Sequence, residues 1–458
     1  MGNTVHPMHS SFVNADLVEC FLRFLPDFQC LASIILTSKA IYNVFQQHPR
    51  SVVRSVAYNL IGPALPQALR FVRCKNAQLY YKPVGELLGE DDIQKNPVLS
   101  SEDITSLVGI FTSIQELESL FSWRMKDRRF KTSQLSLAES TRFQKAMYRM
   151  SLFSAVYGCN AHESAIGSDS DQEEIDSALE EAKTLRKGFF GSLSTPELRD
   201  IQSLETFLRG VITRDYGVCF ATIPPETYSL ESSFVLYCAP WHHVIDVYKR
   251  GLDCITEWDS DITEEILFYD DFIIEPLTSV LVDRTEQPLL PVTQKQPIID
   301  EIVGEHDRCS QCQSDTVKCL DLWGPSNWGY LWGTPPLHSI VQLLKGHVGA
   351  NLADRAHFLA LLCETPAEEL VGGLFDYKTP AYSTWNKADW LCPQCLEKFV
   401  RDHLHIWYLG QKVKRGDVIP NNCWYGYNCR TQTHRLAHAQ KLNHWCEPTR
   451  GDAPPTNV

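Results

Sequence analysis

No stretch of this chain approaches the roughly 20 consecutive apolar residues that a membrane-crossing helix needs. The amino-terminal run MGNTVHPMHS has no basic segment leading into an apolar one, so it does not read as a secretory leader. Positive charge is also scarce. With 42 Lys and Arg against 56 Asp and Glu, the net charge is -14, which argues against wholesale wrapping of nucleic acid or an anionic membrane. Catalytic signatures are missing as well. There is no His-Glu-x-x-His, no deaminase-type His-x-Glu with Pro-Cys-x-x-Cys, no phosphate-cradling glycine loop and no nucleophile elbow. The adjacent His242 and His243 after Trp241 read as structural. These absences point to a non-enzymatic protein inside the cell, nuclear or cytoplasmic, with no membrane partner.

What is abundant is cysteine, unevenly placed. Of 16 cysteines, seven are scattered between Cys20 and Cys254 without a close pair, and nine fall between Cys309 and Cys446. In a reducing compartment scattered thiols read as small buried hydrophobes and clustered ones as metal ligands. Cys309 and Cys312, and again Cys392 and Cys395, are separated by two residues, the spacing that turns two sulfurs toward one ion. The second pair runs into LEKFVRDHLHIWYL (396–409), which places Leu396, Phe399, Val400, Leu404 and Trp407 on one helical face. Seventy-nine residues separate the pairs, so a shared site requires the intervening segment to be a folded insertion. Cys319 and Cys363 have no close partner and read as packing.

A second constellation lies at 417–446. Cys423 and Cys429 are followed by His434 and His438, one helical turn apart, and then by His444 and Cys446. Two thiolates and two imidazoles make an ordinary zinc set. The expected ligands are Cys423, Cys429, His434 and His438, with His444 in place of His434 as the variant. Two zinc ions per chain are therefore expected.

The run C-W-Y-G-Y-N-C-R (423–430) resembles the start of the poly(ADP-ribose)-binding zinc finger, Cys-x-Tyr-Gly-x-x-Cys, through Cys423, Tyr425, Gly426 and Cys429. Leu436 stands where that family has its first histidine, while His438 and His444 keep its gap of five. Arg430 occupies the place of an adenine-stacking aromatic. Residues 410–450 carry seven Lys or Arg against two acids, so weak, salt-sensitive binding to a polyanion is expected.

At the other end, V-x-x-F-L-x-x-L-P-D-x-x-x-L (18–31) and I-L-T-S-K-A-I-Y-N-V-F (35–45) resemble a fungal-type F-box. That motif docks a protein onto the adaptor subunit of a cullin-RING (SCF-type) ubiquitin ligase. The resemblance implies that Phe21, Leu22, Leu25 and Pro26 meet the adaptor, and that the chain is a substrate receptor presenting its zinc region to an unidentified protein target. The alternative is a zinc-finger reader of poly(ADP-ribose) or nucleic acid without a ligase role.

The fold class expected is mainly α: an F-box-like helical motif over 12–60, helical regions over 61–163 and 177–287, and a zinc-stapled, irregular α+β carboxy-terminal region. An acidic loop over 164–176 and a linker over 288–300 separate these. The zinc region divides into a paired-CxxC module, 301–410, and a Cys2His2 finger, 411–450. Ser101 and Thr195 are expected to cap helices, and the basic cluster RMKDRRFK (124–131) reads as a solvated helix end.

Overall fold

A computed structural model describes residues 14–95, 98–158, 172–219, 245, 273–284, 297–317, 319–331 and 340–450. The protein is mainly helical, and no regular strand occurs among the described residues. The only β pairing there is two isolated bridges, Trp323 with Leu391 and Asn422 with Asn443. None of the described helices is long and apolar enough to cross a membrane. His242, His243 and most of the expected acidic loop lie outside the described residues. The loop's last five positions, from Gln172, are already helical.

Four short helices open the chain: α1 (Ala15–Arg23), α2 (Phe28–Ile35), α3 (Lys39–Gln47) and α4 (Pro49–Ile61). Asn14, Asp27 and Ser38 cap the first three by accepting bonds from backbone amides, and Pro49 supplies the fixed φ that starts the fourth. Leu22, Leu25, Leu31, Val52 and Val56 form a small core of their own, separate from the main one. Asn59 locks this unit by donating to the carbonyls of Arg23 (2.7 Å) and Leu25 (2.9 Å).

The main core begins at Ala57 and continues to Trp445. Its first part is built from α5 (Leu65–Asn76), α6 (Glu90–Lys95), α7 (Ser101–Met125), α8 (Leu137–Tyr157), α9 (Gln172–Gly191), α10 (Thr195–Cys219) and α11 (Ile274–Asp283). The central α8 packs against both α5 and α10. Its side chains Phe143, Met147, Phe153 and Tyr157 are buried, Phe153 between Phe189 and Phe190. The α7 cap is Ser100 rather than Ser101, in a reciprocal box with Asp103. Helix α10 begins at Thr195, with Ser194 bonded to Glu197, so both caps sit one residue earlier than their sequence suggests.

Two expectations fail for one physical reason: polar groups near Lys126 are recruited into the interior. The cluster 124–131 is not a solvated helix end, because Arg124, Lys126 and Asp127 are buried. Arg128 stacks on Trp123 and Trp323, 5.0 and 4.7 Å from their ring centres. The end of the expected linker is also interior, with Ile298 and Ile299 buried. The scattered cysteines, for their part, are not uniformly packing residues: Cys74 is buried, Cys30 half-buried and Cys20 exposed. The side chains of the other four lie outside the described residues. Cys363 is exposed too.

Glu139 organises this junction. It caps α8 with Ser136, pairs with Lys126, and accepts the Asp300 amide at 2.8 Å. Arg142 adds a bond to the Ile298 carbonyl at 2.8 Å and an ion pair to Asp300. Burial favours the neutral acid, yet Lys126 and the two amides prevail and hold the Glu139 carboxyl down to about 2, below its ordinary 4.5. The stability it contributes is therefore complete above about pH 4.5 and is lost as pH falls toward 2. Glu139→Ala, leaving Lys126 buried without its partner, should cost about 3–5 kcal/mol. Chemical denaturation measured at pH 7 and again at pH 3 checks both statements, because the gap between wild type and variant must narrow at the lower pH.

Candidate metal centres

The carboxy-terminal region contains α12 (Arg355–Glu364), α13 (Ala367–Asp376), α14 (Pro393–Lys414) and α15 (Leu436–Lys441), joined by irregular backbone and single 3-10 turns. Within it, two groups of four side chains converge so that each group's ligand atoms lie within 4.8 Å of one another.

The first group is Cys309, Cys312, Cys392 and Cys395. The separation in sequence is bridged by backbone pairing. Trp323 and Leu391 exchange hydrogen bonds of 2.9 and 2.7 Å, and Ser310 donates to the Trp390 carbonyl at 2.7 Å. Gln311 reaches Asp389 at 2.6 Å. Cys392 is the cap residue of α14, its sulfur accepting the Cys395 amide at 3.4 Å, while its own amide donates to Cys309 Sγ at 3.3 Å. A thiolate at a helix amino terminus is favoured by the unpaired amides and the helix dipole. Cys309 illustrates the balance: burial raises its pKa, but amides of Cys312, Cys392 and Gln311 outweigh that and bring it to about 7. Leu322 and Trp390 cover the group.

The insertion between the two pairs is part of the core. Trp328 stacks on Phe375 and Trp323 meets Trp123 edge-on. All five side chains expected on one face of α14 are buried. His403 is buried too, its Nδ1 at 2.7 Å from the Phe399 carbonyl and its Nε2 accepting the Thr379 amide, which fixes a neutral tautomer.

The second group is Cys423, Cys429, His438 and His444. His438 Nε2 lies 3.4 Å from Cys429 Sγ and 4.0 Å from Cys423 Sγ. His434 is not a member. Residues 430–433 form a 3-10 turn, and the helix carrying His438 starts only at Leu436. His434 and His438 therefore do not share a helical face, and His434 points to solvent. His444 takes its place. It is buried, neither ring nitrogen has a hydrogen bond of good geometry, and a cation would engage one of the two. Burial, reinforced by His438, lowers its pKa and keeps the imidazole neutral, as a ligand must be. The five-residue gap between His438 and His444 was the available signal.

Gly426 makes the turn between the two cysteines at φ +42°, where an added Cβ would lie 2.2 Å from the Cys446 carbonyl oxygen. This segment is not a detached finger. Trp445 is buried against Phe358 and Tyr408 and donates to Asp354 at 2.9 Å. His347 donates to the Tyr427 carbonyl at 2.7 Å. Residues 411–450 and 301–410 thus share one core.

The four side chains expected to meet a partner divide. Leu22 and Leu25 are buried in their own chain against α4, whereas Phe21 and Pro26 are exposed. Two adjacent stripes run along α1. Val18, Leu22 and Leu25 face inward, and Leu17, Phe21 and Phe24 face solvent, at 68, 55 and 77% exposure. Phe24 lies outside the four residues expected to meet a partner, yet it completes the second stripe at helical spacing. No protein-family model, characterised protein or solved structure matches the chain.

Both groups fit a metal ion, so His444→Ala should lower the bound metal from two equivalents to one, while His434→Ala leaves it at two. Elemental analysis of the purified full chain gives the answer. Retention of both equivalents by His444→Ala would refute the ligand assignment.

Proposed function

We propose that the protein is a substrate receptor of an SCF-type ubiquitin ligase, docking the adaptor through its amino-terminal helices and its target through the metal-stapled region. The observation that carries this reading is the solvent-facing stripe Leu17, Phe21 and Phe24 on a helical unit with its own core. Leu36, 82% exposed at the end of α2, adds to the apolar surface. A surface of this kind on a small helical unit is the mark of an interaction site. The F-box resemblance of 18–45 names the partner. Both metals are assigned as zinc, because a four-cysteine set and a two-cysteine, two-histidine set are structural zinc sets with no position left open for catalysis. A nuclear or cytoplasmic location accords with free cysteines as ligands.

A second reading, binding of poly(ADP-ribose) or single-stranded nucleic acid, is favoured by one feature. Trp424 and Tyr425 are exposed beside the second metal group, with the Arg450 guanidinium 4.2 Å from the Trp424 ring centre. Arg430 and Arg435 are exposed on the same segment. Stacking rings among cations suit a flexible polyanion.

Leu25 belongs to the core, so substituting it would test folding rather than docking. The informative variant is Phe21→Asp with Phe24→Asp. Burying each ring at an interface is worth about 1.5–3 kcal/mol, so the double variant should weaken adaptor binding by about a hundredfold or more. Its melting temperature and metal content should stay unchanged. Isothermal titration with the purified adaptor subunit decides the matter, and absence of binding by the wild type would overturn the receptor reading.

A further inference from the structure

Where the amino-terminal unit meets the helical body, a cleft of about 510 Å³ opens between the end of α4, α7, the 133 loop and α8. Its walls are mixed. Leu60, Phe111 and Leu137 supply apolar surface, and Asn59, Gln115 and Thr141 supply neutral polar groups. One charged side chain lines it, Glu118, which is only 8% exposed.

The partners of Glu118 are all neutral. Ser133 Oγ donates to Oε1 at 2.9 Å, and Ser140 Oγ and Gln144 Nε2 each donate to Oε2 at 2.9 Å. Among the described residues no lysine, arginine or histidine forms an ion pair with it. Three other buried carboxylates in this body each have one: Glu139 has Lys126, Asp103 has Arg73 and Asp127 has Arg129. A carboxylate has about four acceptor positions, so three donors leave one free on the oxygen that accepts only Ser133. Both serine hydroxyls can also rotate to become acceptors.

We propose that this cleft binds an alkyl chain ending in a cation, an arginine or lysine side chain of a partner peptide or a free alkylguanidine, with the cationic head on Glu118 and the stem against Phe111, Leu60 and Leu137. A buried anion satisfied only by neutral donors, lining a cleft whose residues Asn59, Gln115 and Leu137 are exposed, lacks the cation that Glu139, Asp103 and Asp127 each have. A guanidinium supplies it. Its planar donors reach a carboxylate oxygen and adjacent hydroxyls together, which an ammonium does less well, so arginine should be preferred over lysine. The inference is independent of the adaptor and zinc readings, since none of their residues lines the cleft.

The test uses the full chain and three probes: a fluorescent nonapeptide with one central arginine, its citrulline counterpart, and agmatine. Saturable binding of the arginine peptide, with citrulline weaker by roughly ten- to hundredfold as expected for losing a charge-assisted bond, supports the site. Competition by agmatine shows that free alkylguanidines also enter, whereas failure to compete restricts the ligand to peptides. Glu118→Gln should abolish binding. Because that change touches a buried network, Gln115→Arg serves as the second variant. Positions 115 and 118 are neighbours on α7, so the new side chain occupies the cleft from within and should block all probes while leaving the melting temperature intact or raised. Equal affinity for arginine and citrulline peptides, binding that survives Gln115→Arg, or no binding of any probe would each overturn the proposal.

Discussion

The convergence of four sulfurs from two distant parts of the chain is the constraint on which the carboxy-terminal half depends. Each CxxC pair supplies half of a candidate four-sulfur site, and each is placed by different means. Cys392 and Cys395 are fixed by the start of α14, whereas Cys309 and Cys312 sit on irregular backbone held by the Trp323–Leu391 bridge and the Ser310–Trp390 bond. Irregular chain of this kind has few internal hydrogen bonds, so a cross-link between its ends contributes what regular secondary structure supplies elsewhere. The same bridge fixes Trp323, whose ring meets Trp123 and Arg128 on the helical body. The frame of the candidate metal site and the packing of the two halves therefore share a residue.

The second group relies on a different device. Its ligands are close in sequence, and the frame around them comes from short turns and from docking onto neighbouring structure. Trp445, one residue after His444, is buried between Phe358 and Tyr408. Gly346, at φ +57°, permits the approach of the Tyr427 carbonyl, which an added Cβ would meet at 2.3 Å. The finger-like segment is consequently held on one side, leaving Trp424, Tyr425 and Arg430 as its free face.

Where one periodicity governs, the sequence is legible. The buried face of α14 and the inward stripe of α1 follow from apolar spacing, and paired cysteines mark their own site across a long insertion. The losses come where local pattern competes with tertiary demand. His434 and His438 look like a helical pair, yet a 3-10 turn ends just before His434 and removes the register. RMKDRRFK looks hydrophilic, but Lys126 and Arg128 each find a buried partner, one a carboxylate and one a pair of indoles. On α1 two apolar stripes adjoin, and no property of that helix alone says which will find α4. The buried isoleucines at 298–299 follow from Arg142 and Glu139, more than 150 residues earlier.

The long insertion has a consequence during synthesis. Cys309 and Cys312 leave the ribosome eighty or so residues ahead of Cys392 and Cys395, and at about 5–20 residues per second that interval lasts roughly 4–16 s. For that time the nascent chain carries only two of the four thiols of the candidate site. The later group needs only the stretch from Cys423 to His444, so its ligands emerge almost together. Oxidation or capture of the wrong metal while translation proceeds is thus a hazard of the first group and hardly of the second, and ribosome pausing between the two CxxC pairs would lengthen it.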